Sequence, residues 1–447
     1  MKIDHRQKQC MNKALNILVI GSGGREHAII TNFTNSKLVN KIYALPGNGG
    51  TSTIATNIQG DVNDFKKIKE EVINNNISLV FVGPEDPIVY GIYDFFKSDS
   101  SLKNIKIIAP SKLAGQLEGS KEFAKQFMER YNIPTAKHET FTIDNIDQSD
   151  AFLESMNPPY VLKADGLAAG KGVLIIDNLQ NAKDELRSMI LDKKFGDSSS
   201  KVVIEEFLDG IELSCFVLTD GNNYKTLPFA KDYKKIGEGD TGLNTGGMGA
   251  ISPVPFLDNK FLGKIEDRII KPTIHGIKKE NMEYMGVVFI GLIKVGEDPY
   301  VIEYNVRMGD PETEVVFPRI KNDLLDLFNS MGSTEFEDIK LQIDDRHAAT
   351  IIMVSGGYPL DYEKNKIISG LTEETDSLIF HAGTKLENNE ILASGGRVLN
   401  FVSVSENFNN SREDIIKLID KLNWKNGFYR KDIGYKVIDV WELLQGI

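Results

Sequence analysis

Three side chains on one face of a predicted strand have the chemistry to bind a metal ion and an anion together. The segment Val301–Arg307 alternates apolar with polar residues, which is the pattern of a β-strand. Because successive side chains of a strand point to opposite faces, Glu303, Asn305 and Arg307 lie on the same face. Carboxylate and amide oxygens bind divalent cations, and a guanidinium binds anions. On these residues alone, a strand with one solvated face is the simpler interpretation.

The remaining residues of this segment predict which side chains are buried and where the strand ends. Val301 falls on the polar face in this alternation, and the residues expected to be buried on the other face are Ile302, Tyr304 and Val306. Gly-Asp-Pro at 309–311 ends the strand, so Asp310 and Glu312 lie on a loop at its carboxyl end.

Composition is that of a globular protein and argues against several classes of partner. The chain has 447 residues, with 41% hydrophobic and 26% charged residues, enough for about three domains. A net charge of −12 without a long basic run argues against nucleic acid. No apolar run approaches the ~18 residues of a membrane span. Two cysteines, Cys10 and Cys215, cannot build a disulfide framework, so we expect a reducing compartment, the cytoplasm.

Residues 1–15 are expected to form a disordered extension. They are mostly polar and lack the apolar segment of a secretory signal. A start at Met11 and an organelle transit peptide are the alternatives.

A glycine turn joins the first predicted strand, residues 16–20, to a helix. Gly-Ser-Gly-Gly at 21–24 places backbone N–H groups at the helix N-terminus, where an anion binds well. Glu26 stands where a dinucleotide fingerprint has its third glycine, which disfavours a nicotinamide cofactor. A phosphate site and a merely tight turn both remain open. Strands alternating with helices up to about residue 115 predict a parallel, doubly wound sheet with its loops facing one crevice.

Two lysines are placed for contact with an anion. Ser120 can cap a helix from Lys121 to about residue 131, and a lysine in a first turn opposes the helix dipole. An anionic partner would explain Lys121, and a solvated lysine is the alternative. Lys163 lies in an apolar strand, residues 160–163, that leads into a glycine loop.

The glycine loop at 164–172 fails the Walker A pattern. Its glycine spacing is one residue short, and Gly172 replaces the Ser/Thr that would hold magnesium. With a return strand at 173–176, the loop predicts a flap that covers phosphates, and a plain glycine hairpin is the alternative. A metal would then be held elsewhere, where Glu303 and Asn305 are available.

Three later segments give weaker signals. Asp209-Gly210 between two alternating runs predicts a β-hairpin. The glycine-dense run 237–249 favours close backbone approach to a ligand over a mobile linker. From about residue 343, strand and turn patterns predict a smaller α+β domain that lacks its own phosphate loop and helps to close the cleft.

Taken together, these motifs resemble those of a known family. The order of lysine strand, glycine flap, Glu-Glu-Phe-Leu and Glu-x-Asn resembles the ATP-grasp superfamily. The runs that resemble the phosphoribosylamine–glycine ligases in particular are those at 21–28, 163–173, 244–250 and 307–314. The match begins near residue 16 and reaches the C-terminus. Two positions depart from the family pattern: Tyr233 stands where many relatives carry histidine, and Leu243 stands where proline is frequent.

The resemblance implies an α/β fold with α+β parts in three domains. They are an N-terminal doubly wound domain at 16–115, an ATP-grasp domain at 116–342 with a lid subdomain at about 137–206, and a C-terminal α+β domain at 343–447.

The resemblance also implies a role for each site residue. The residues implied to bind the phosphates and nucleotide of ATP are Lys121, Lys163, Gly170, Lys171, Gly172, Glu205, Glu206, Phe207, Leu208 and Glu212. Magnesium or manganese would bind Glu303 and Asn305. Those for phosphoribosylamine and glycine are Gly23, Gly24, Asn48, Asp232, Lys234, Arg307, Asp310 and Glu312. The implied catalytic residues are Arg307, Lys171 and Asp232.

The implied reaction joins glycine to 5-phosphoribosylamine at the expense of ATP, through glycyl phosphate, in the second step of purine synthesis. Another ATP-grasp ligase or carboxylase of purine synthesis, and a non-catalytic nucleotide-binding protein, are the alternatives. The expected partners are these small molecules, without nucleic acid or membrane, and the expected state is a monomer, with a weak dimer as the alternative.

Overall fold

A five-stranded parallel sheet forms the N-terminal part of the computed structural model, which describes residues 14–167, 172–371 and 378–435. Its strands are β1 (Leu15–Gly21), β2 (Val39–Pro46), β3 (Thr56–Asn57), β4 (Leu79–Val82) and β5 (Lys106–Ile108). Its helices are α1 (Gly24–Thr34), α2 (Thr51–Ile54), α3 (Phe65–Asn74), α4 (Glu85–Tyr90) and α5 (Ile92–Ser98). The order β3-β2-β1-β4-β5 confirms the predicted doubly wound sheet. Most of the predicted extension, residues 1–13, lies outside the described residues.

A separate four-stranded sheet carries Lys163 and the flanks of the glycine loop. The helices and strands of this part are α6 (Lys112–Gly119), α7 (Lys121–Arg130), β6 (His138–Thr142), α8 (Ser149–Glu154), β7 (Tyr160–Ala164), β8 (Val173–Ile176), α9 (Leu179–Leu191) and β9 (Lys201–Glu206). The antiparallel order is β6-β9-β7-β8, with a core of its own between the sheet and α8 and α9. As predicted, Ser120 caps α7, where its hydroxyl accepts a hydrogen bond from the Phe123 N–H at 3.1 Å. Residues 168–171 of the loop lie outside the described residues.

A second antiparallel sheet of four strands forms the central part of the chain. Its region contains β10 (Ile211–Thr219), β11 (Tyr224–Thr226), β12 (Lys231–Asp232), β13 (Lys235–Gly237), β14 (Thr241–Asn244), β15 (Gly249–Ser252), β16 (Gly286–Val295) and β17 (Asp298–Asn305). Its helices are α10 (Asn259–Ile265), a π-helical turn (Glu266–Ile270), α11 (Lys271–Lys279), α12 (Thr313–Val316), α13 (Leu324–Ser330) and α14 (Thr334–Asp338). The sheet order is β11-β10-β16-β17.

The hairpin predicted at Asp209-Gly210 is wrong. The turn connects two different sheets, because β9 pairs with β6 and β7 while β10 pairs with β11 and β16. With both edges of each strand occupied, β9 and β10 cannot pair with each other. Gly210 is needed for another reason, since a Cβ there would overlap the Lys294 carbonyl oxygen.

A β-bulge in β17 changes which side chains of the segment Val301–Arg307 share a face. Val301 pairs with Leu292 and Glu303 with Gly291, so Ile302 is the extra residue. Val301 therefore joins Tyr304 and Val306 in the core, whereas Ile302 faces the cleft beside Glu303. Glu303 and Asn305 keep the predicted common face, because the bulge lies before both.

The C-terminal part is built on an antiparallel sheet, to which strands from the central region also contribute, and one long helix. Its elements are β18 (His347–Ser355), β19 (Lys366–Ile368), β20 (Leu378–His381), β21 (Thr384–Glu387), β22 (Glu390–Ala393), β23 (Arg397–Ser405), α15 (Phe408–Ile419) and β24 (Gly427–Phe428). The order is β12-β15-β18-β23-β20, with β24 beside β18, and β19-β22-β21 form a small second sheet. Strands β12 and β15, which precede residue 343, thus complete the C-terminal sheet. None of the helices in the described ranges is long and apolar enough to cross a membrane.

Candidate active site

A cleft of about 640 Å³ lies where α4, α6, α7, the lysine-bearing sheet and the central sheet meet. It brings together the predicted residues Lys121, Lys163, Gly172, Glu205, Asp232, Lys234, Glu303, Asn305, Arg307, Asp310 and Glu312. Those that do not line it are Glu206, Phe207, Leu208, Glu212, Gly23, Gly24 and Asn48. Gly170 and Lys171 lie outside the described residues. One cavity therefore joins elements that are far apart in the chain.

Glu303 and Asn305 provide a suitable pair of ligands for a divalent cation. Among the described residues, none makes a hydrogen bond or ion pair with the Glu303 carboxylate, although it lines the cleft. Asn305 is buried; its Oδ1 accepts from Arg307 Nη2 at 3.1 Å and keeps a second lone pair, and its Nδ2 has no described partner. The described residues contain no cluster of three or more His, Cys, Asp or Glu that could hold a metal. This sparse set fits a cation that takes its other ligands from phosphates and water.

Arg307 is held by two carboxylates that the sequence analysis did not identify. Its Nη2 donates to Glu118 Oε1 at 2.6 Å, and its Nε lies 3.3 Å from Glu85 Oε2. The other Glu118 oxygen accepts from the Val306 N–H at 2.8 Å. Burial raises the pKa of Glu118 to about 7, although the Arg307 charge opposes this. Glu85 follows β4, at the sheet edge where the loops after the parallel strands meet. That position was the only sequence feature that could have indicated its contact with Arg307.

Two buried lysines share one carboxylate beneath the lysine-bearing sheet. Lys163 Nζ donates to Glu205 Oε2 at 2.9 Å, and Lys125 Nζ lies 3.1 Å from the same oxygen. Lys125 also donates to Thr135 Oγ1 at 2.7 Å. Burial lowers the pKa of Lys125 to about 8 against the opposing charge of Glu205. The group carries one net positive charge when all three are ionised, which suits a phosphate-binding wall.

Lys125 was missed although a signal for it existed. It follows Lys121 by four residues on α7, so both lysines lie on the same helix face and both line the cleft. Lys121 Nζ donates to the Gly166 carbonyl at 3.3 Å, at the start of the glycine loop. Burial lowers the pKa of Lys121, although Glu303 opposes this.

A second group of charges surrounds Lys234, which also lines the cleft. Lys234 Nζ lies 2.9 Å from Glu212 Oε2 and 3.9 Å from Asp232 Oδ2, and these carboxylates, Asp232 above all, raise the pKa of Lys234. Glu312 is buried and accepts from the Ser214 hydroxyl at 3.1 Å. Burial and the charge of Asp232 raise the pKa of Glu312 to about 7.

The glycine turn before α1 is occupied by carboxylates of the protein itself. The Gly23 N–H donates to Glu26 Oε2 at 2.6 Å, and the Arg25 N–H donates to Asp310 Oδ2 at 3.2 Å. A Cβ at Gly24 would overlap the Asn400 side chain. Of the two interpretations left open, these contacts favour the tight structural turn over a phosphate site on these amides.

A second cavity, of about 370 Å³, lies beyond Asp310. Asp310 lines both cavities, whereas Gly23 and Asn48 line only the second. Asn48 Nδ2 donates to the Ser22 and His381 carbonyls at 3.0 and 2.7 Å, so its side chain ties the N-terminal loops to the C-terminal part.

The glycine-dense run is an ordered hairpin, not a mobile linker. Strands β13 and β14 pair, and the Thr245 N–H donates to the Lys234 carbonyl at 2.8 Å. Gly247 has φ +118° and packs on Pro311, and Gly246 packs on Arg397. The predicted close approach of the backbone is therefore made to other parts of the protein, while Thr245 and Gly246 line the cleft.

Comparison with known proteins gives consistent matches over nearly the whole chain. Models of the N domain, the ATP-grasp (A) domain and the C domain of phosphoribosylglycinamide synthetase match residues 15–118, 119–313 and 348–436. The phosphoribosylamine–glycine ligase of Caldanaerobacter subterraneus subsp. tengcongensis is 42% identical over 419 residues, 94% of this chain and 99% of the relative. That of Pseudomonas aeruginosa is 40% identical over 95% of this chain and 98% of the relative.

Solved structures agree with these matches. The phosphoribosylamine–glycine ligase of Thermotoga maritima superposes with a TM-score of 0.80 at 33% identity, covering 94% of this chain and all of that one. Biotin carboxylase from Campylobacter jejuni, at 15% identity, superposes with a TM-score of 0.72 over 97% of each chain. The second likeness shows the fold alone.

Proposed function

The chain belongs to the phosphoribosylglycinamide synthetase family, and from this premise we propose how its cleft carries out the ATP-dependent ligation of glycine to 5-phosphoribosylamine. The products are glycinamide ribonucleotide, ADP and phosphate, in the second step of purine biosynthesis. Relatives at about 40% identity carry the ligase name, which favours this reaction over an ATP-grasp carboxylase and over a protein without catalysis. The enzyme uses ATP with a divalent metal.

The reaction requires activation because a carboxylate is a poor electrophile. A glycine carboxylate oxygen attacks the γ-phosphorus of ATP and ADP leaves, which gives glycyl phosphate. The amine of phosphoribosylamine then attacks the carbonyl carbon, loses a proton, and expels phosphate to form the amide. Positioning and neutralisation of charge account for most of such catalysis, so no protein nucleophile is needed.

The observation that carries the proposal is that Lys121, Lys163 and the unpaired Glu303 carboxylate line one cleft. Lys121 and Lys163 bind the phosphates of ATP, together with Lys171 and the glycines 170 and 172. The adenine and ribose are assigned to Glu205 and Glu206 at the end of β9, to Phe207 and Leu208 after it, and to Glu212 in β10; of these, Glu205 lines the cleft. Glu303 and Asn305 hold magnesium or manganese, which neutralises phosphate charge when bound.

Glycine and phosphoribosylamine, the two substrates to be joined, bind beside the metal ligands Glu303 and Asn305. Arg307, with Lys171 and Asp232 as the other catalytic groups, binds the glycine carboxylate and the developing phosphate charge. Phosphoribosylamine contacts the loops around Gly23, Gly24 and Asn48. The remaining contacts to these two substrates come from Asp232, Lys234, Asp310 and Glu312.

Several features remain our proposals on sequence grounds. They are the domain limits 16–115, 116–342 and 343–447, with a lid at about 137–206. They also include a cytoplasmic location and a monomeric state, with a weak dimer as the alternative. The lid would close over glycyl phosphate, which water destroys.

Oxygen transfer from glycine tests the proposed route. If glycine labelled with ¹⁸O in its carboxylate is supplied with ATP and phosphoribosylamine, we expect one ¹⁸O atom in each phosphate released, because the bridging oxygen of glycyl phosphate leaves with phosphorus. Mass spectrometry of the phosphate measures it. The control uses ¹⁸O-water and unlabelled glycine, from which the phosphate should gain no label. Label that stays wholly in the amide product and unreacted glycine would refute the acyl phosphate.

A further inference from the structure

Lys125 is a buried cation of the main cleft to which the proposed function gives no role. Its side chain is 3% exposed, and it lines the cleft from α7. A lysine is rarely buried to this extent unless an anion is paired with it. Its Nζ lies 3.1 Å from Glu205 Oε2, an oxygen that also accepts from Lys163 Nζ at 2.9 Å. One carboxylate oxygen therefore serves two ammonium groups, and only one of these, Lys163, is proposed to bind ATP.

Glu205 is a buried anion that must keep at least one cation beside it. Its side chain is 5% exposed. Burial raises the pKa of Glu205, but the charges of Lys163 and Lys125 more than offset this and lower the pKa overall, so the carboxylate is ionised. An ionised carboxylate that loses its last partner in the interior is strongly destabilised. If Lys163 were the sole partner, its turning toward a phosphate would leave such a charge behind.

The two lysines are not held equally firmly. Lys125 Nζ donates to Thr135 Oγ1 at 2.7 Å, and the Thr135 hydroxyl donates in turn to the Val301 carbonyl at 2.7 Å. The backbone of Thr135 is fixed as well, because it forms a parallel bridge with Val301. Apart from the shared carboxylate, the described residues give Lys163 Nζ one long contact, to the Ile302 carbonyl at 3.5 Å. Lys125 is therefore anchored to β17, whereas Lys163 is the lysine that can turn.

We propose that Lys125 is a positioning residue that keeps Glu205 neutralised and thereby frees Lys163 to bind the phosphates of ATP. This proposal rests on the proposed function, which places Lys163 on those phosphates. When Lys163 turns from Glu205 to a phosphate oxygen, Lys125 keeps the carboxylate paired at 3.1 Å. The exchange replaces one contact between lysine and an anionic oxygen with another, and it leaves no buried charge without a partner.

Direct contact of Lys125 with ATP is the other role that a lysine in this cleft could have. The two roles differ in how they depend on Glu205. A direct contact is lost by the same factor whether or not Glu205 carries a charge, whereas a counterion is needed only while Glu205 is ionised. Effects of independent groups on a binding constant multiply, and those of coupled groups do not. A double-mutant cycle between Lys125 and Glu205 therefore separates the two roles.

The affinity for ATP in the wild type, Lys125→Met, Glu205→Gln and the double variant tests the proposal. ATP with Mg²⁺ is titrated into each protein by isothermal calorimetry, without glycine or phosphoribosylamine. We expect Lys125→Met to raise Kd for ATP at least about tenfold, because Lys163 is then the lysine that must balance a buried carboxylate. Glu205→Gln should favour ATP binding more when it is made on Lys125→Met than when it is made on the wild type, by a factor of at least about five.

Controls separate this proposal from folding and from the proposed function. Lys125→Gln removes the same charge but keeps hydrogen-bond donors, and it should show the same coupling to Glu205. Arg130→Met removes another cation of α7, which pairs with Glu280 at 2.8 Å outside the cleft, and should keep Kd within about twofold. An unchanged Kd in both Lys125 variants, or effects at Lys125 and Glu205 that multiply within about twofold, overturns the proposal alone. A wild type that binds ATP but forms no ADP with glycine and phosphoribosylamine overturns the proposed ligation, and one that binds no ATP overturns both.

Discussion

Glu303→Gln is expected to lower kcat at least ~100-fold at ordinary metal concentrations while leaving the fold intact. The carboxylate lines the cleft, and within the described part of the chain it has no hydrogen bond or ion pair to lose. Glutamine has nearly the same shape, so the contact with Gly291 across the strand pair is kept. The loss therefore reports a missing negative ligand. Steady-state turnover against Mg²⁺ and Mn²⁺ concentration measures it, with thermal unfolding as the check on folding.

A second acid on the same strand provides the matched control. Asp298, at the other end of β17, pairs with Arg268 at 2.6 Å and with Lys264 at 2.9 Å and lies outside the cleft. Asp298→Asn should keep turnover within about twofold, because the two ion pairs it loses are partly exposed. If Glu303→Gln turned over at a near-normal rate under saturating metal, Glu303 would not be a metal ligand.

Lys163→Ala is expected to lower kcat/KM for ATP at least ~10-fold, on the order of 1.4 kcal/mol of transition-state stabilisation. Lys163 is 5% exposed and faces the cleft from β7. Its removal leaves Glu205 paired with Lys125 alone at 3.1 Å, so the buried group becomes neutral where a phosphate would approach. Initial rates over a range of ATP concentrations, at saturating glycine and phosphoribosylamine, measure the change.

Two substitutions distinguish charge from packing in this result. Lys163→Met keeps most of the side-chain volume without the charge and should lose as much activity as Lys163→Ala. Lys201 lies on the neighbouring strand β9, pairs with Glu122 and does not line the cleft, so Lys201→Ala should leave kcat/KM unchanged. A value for Lys163→Ala that equals wild type would exclude a role in phosphate binding.

Local periodicity was enough to predict the elements that hold these residues. The strands of the N-terminal part, the cap at Ser120 and the strands on both sides of the glycine loop follow from patterns within a few residues. The bulge at Ile302 depends instead on the pairing of β17 with β16, and strict alternation gives no sign of it. The Asp209-Gly210 turn was misassigned for the same reason, because the partners of β9 and β10 lie far along the chain.

The site residues that lie outside the motifs were harder to find than those within them. Glu118 acts on Arg307 from a helix almost 190 residues earlier in the chain, and only the fold brings the two to 2.6 Å. Lys125 could have been found from its spacing to Lys121. The cavity beside Arg397 could not have been found from the sequence. Its walls come from glycine-containing turns, and glycine in a turn gives no sign of a cavity until its contacts are known.

ADP release with each substrate omitted in turn tests the central claim most directly. The chain is incubated with ATP, a divalent metal, glycine and freshly formed phosphoribosylamine, and ADP is measured by a coupled assay. Our account predicts full turnover only when glycine and phosphoribosylamine are both present, with no effect of added bicarbonate. Turnover that depends on bicarbonate instead of glycine, or no turnover with the complete mixture, would contradict it.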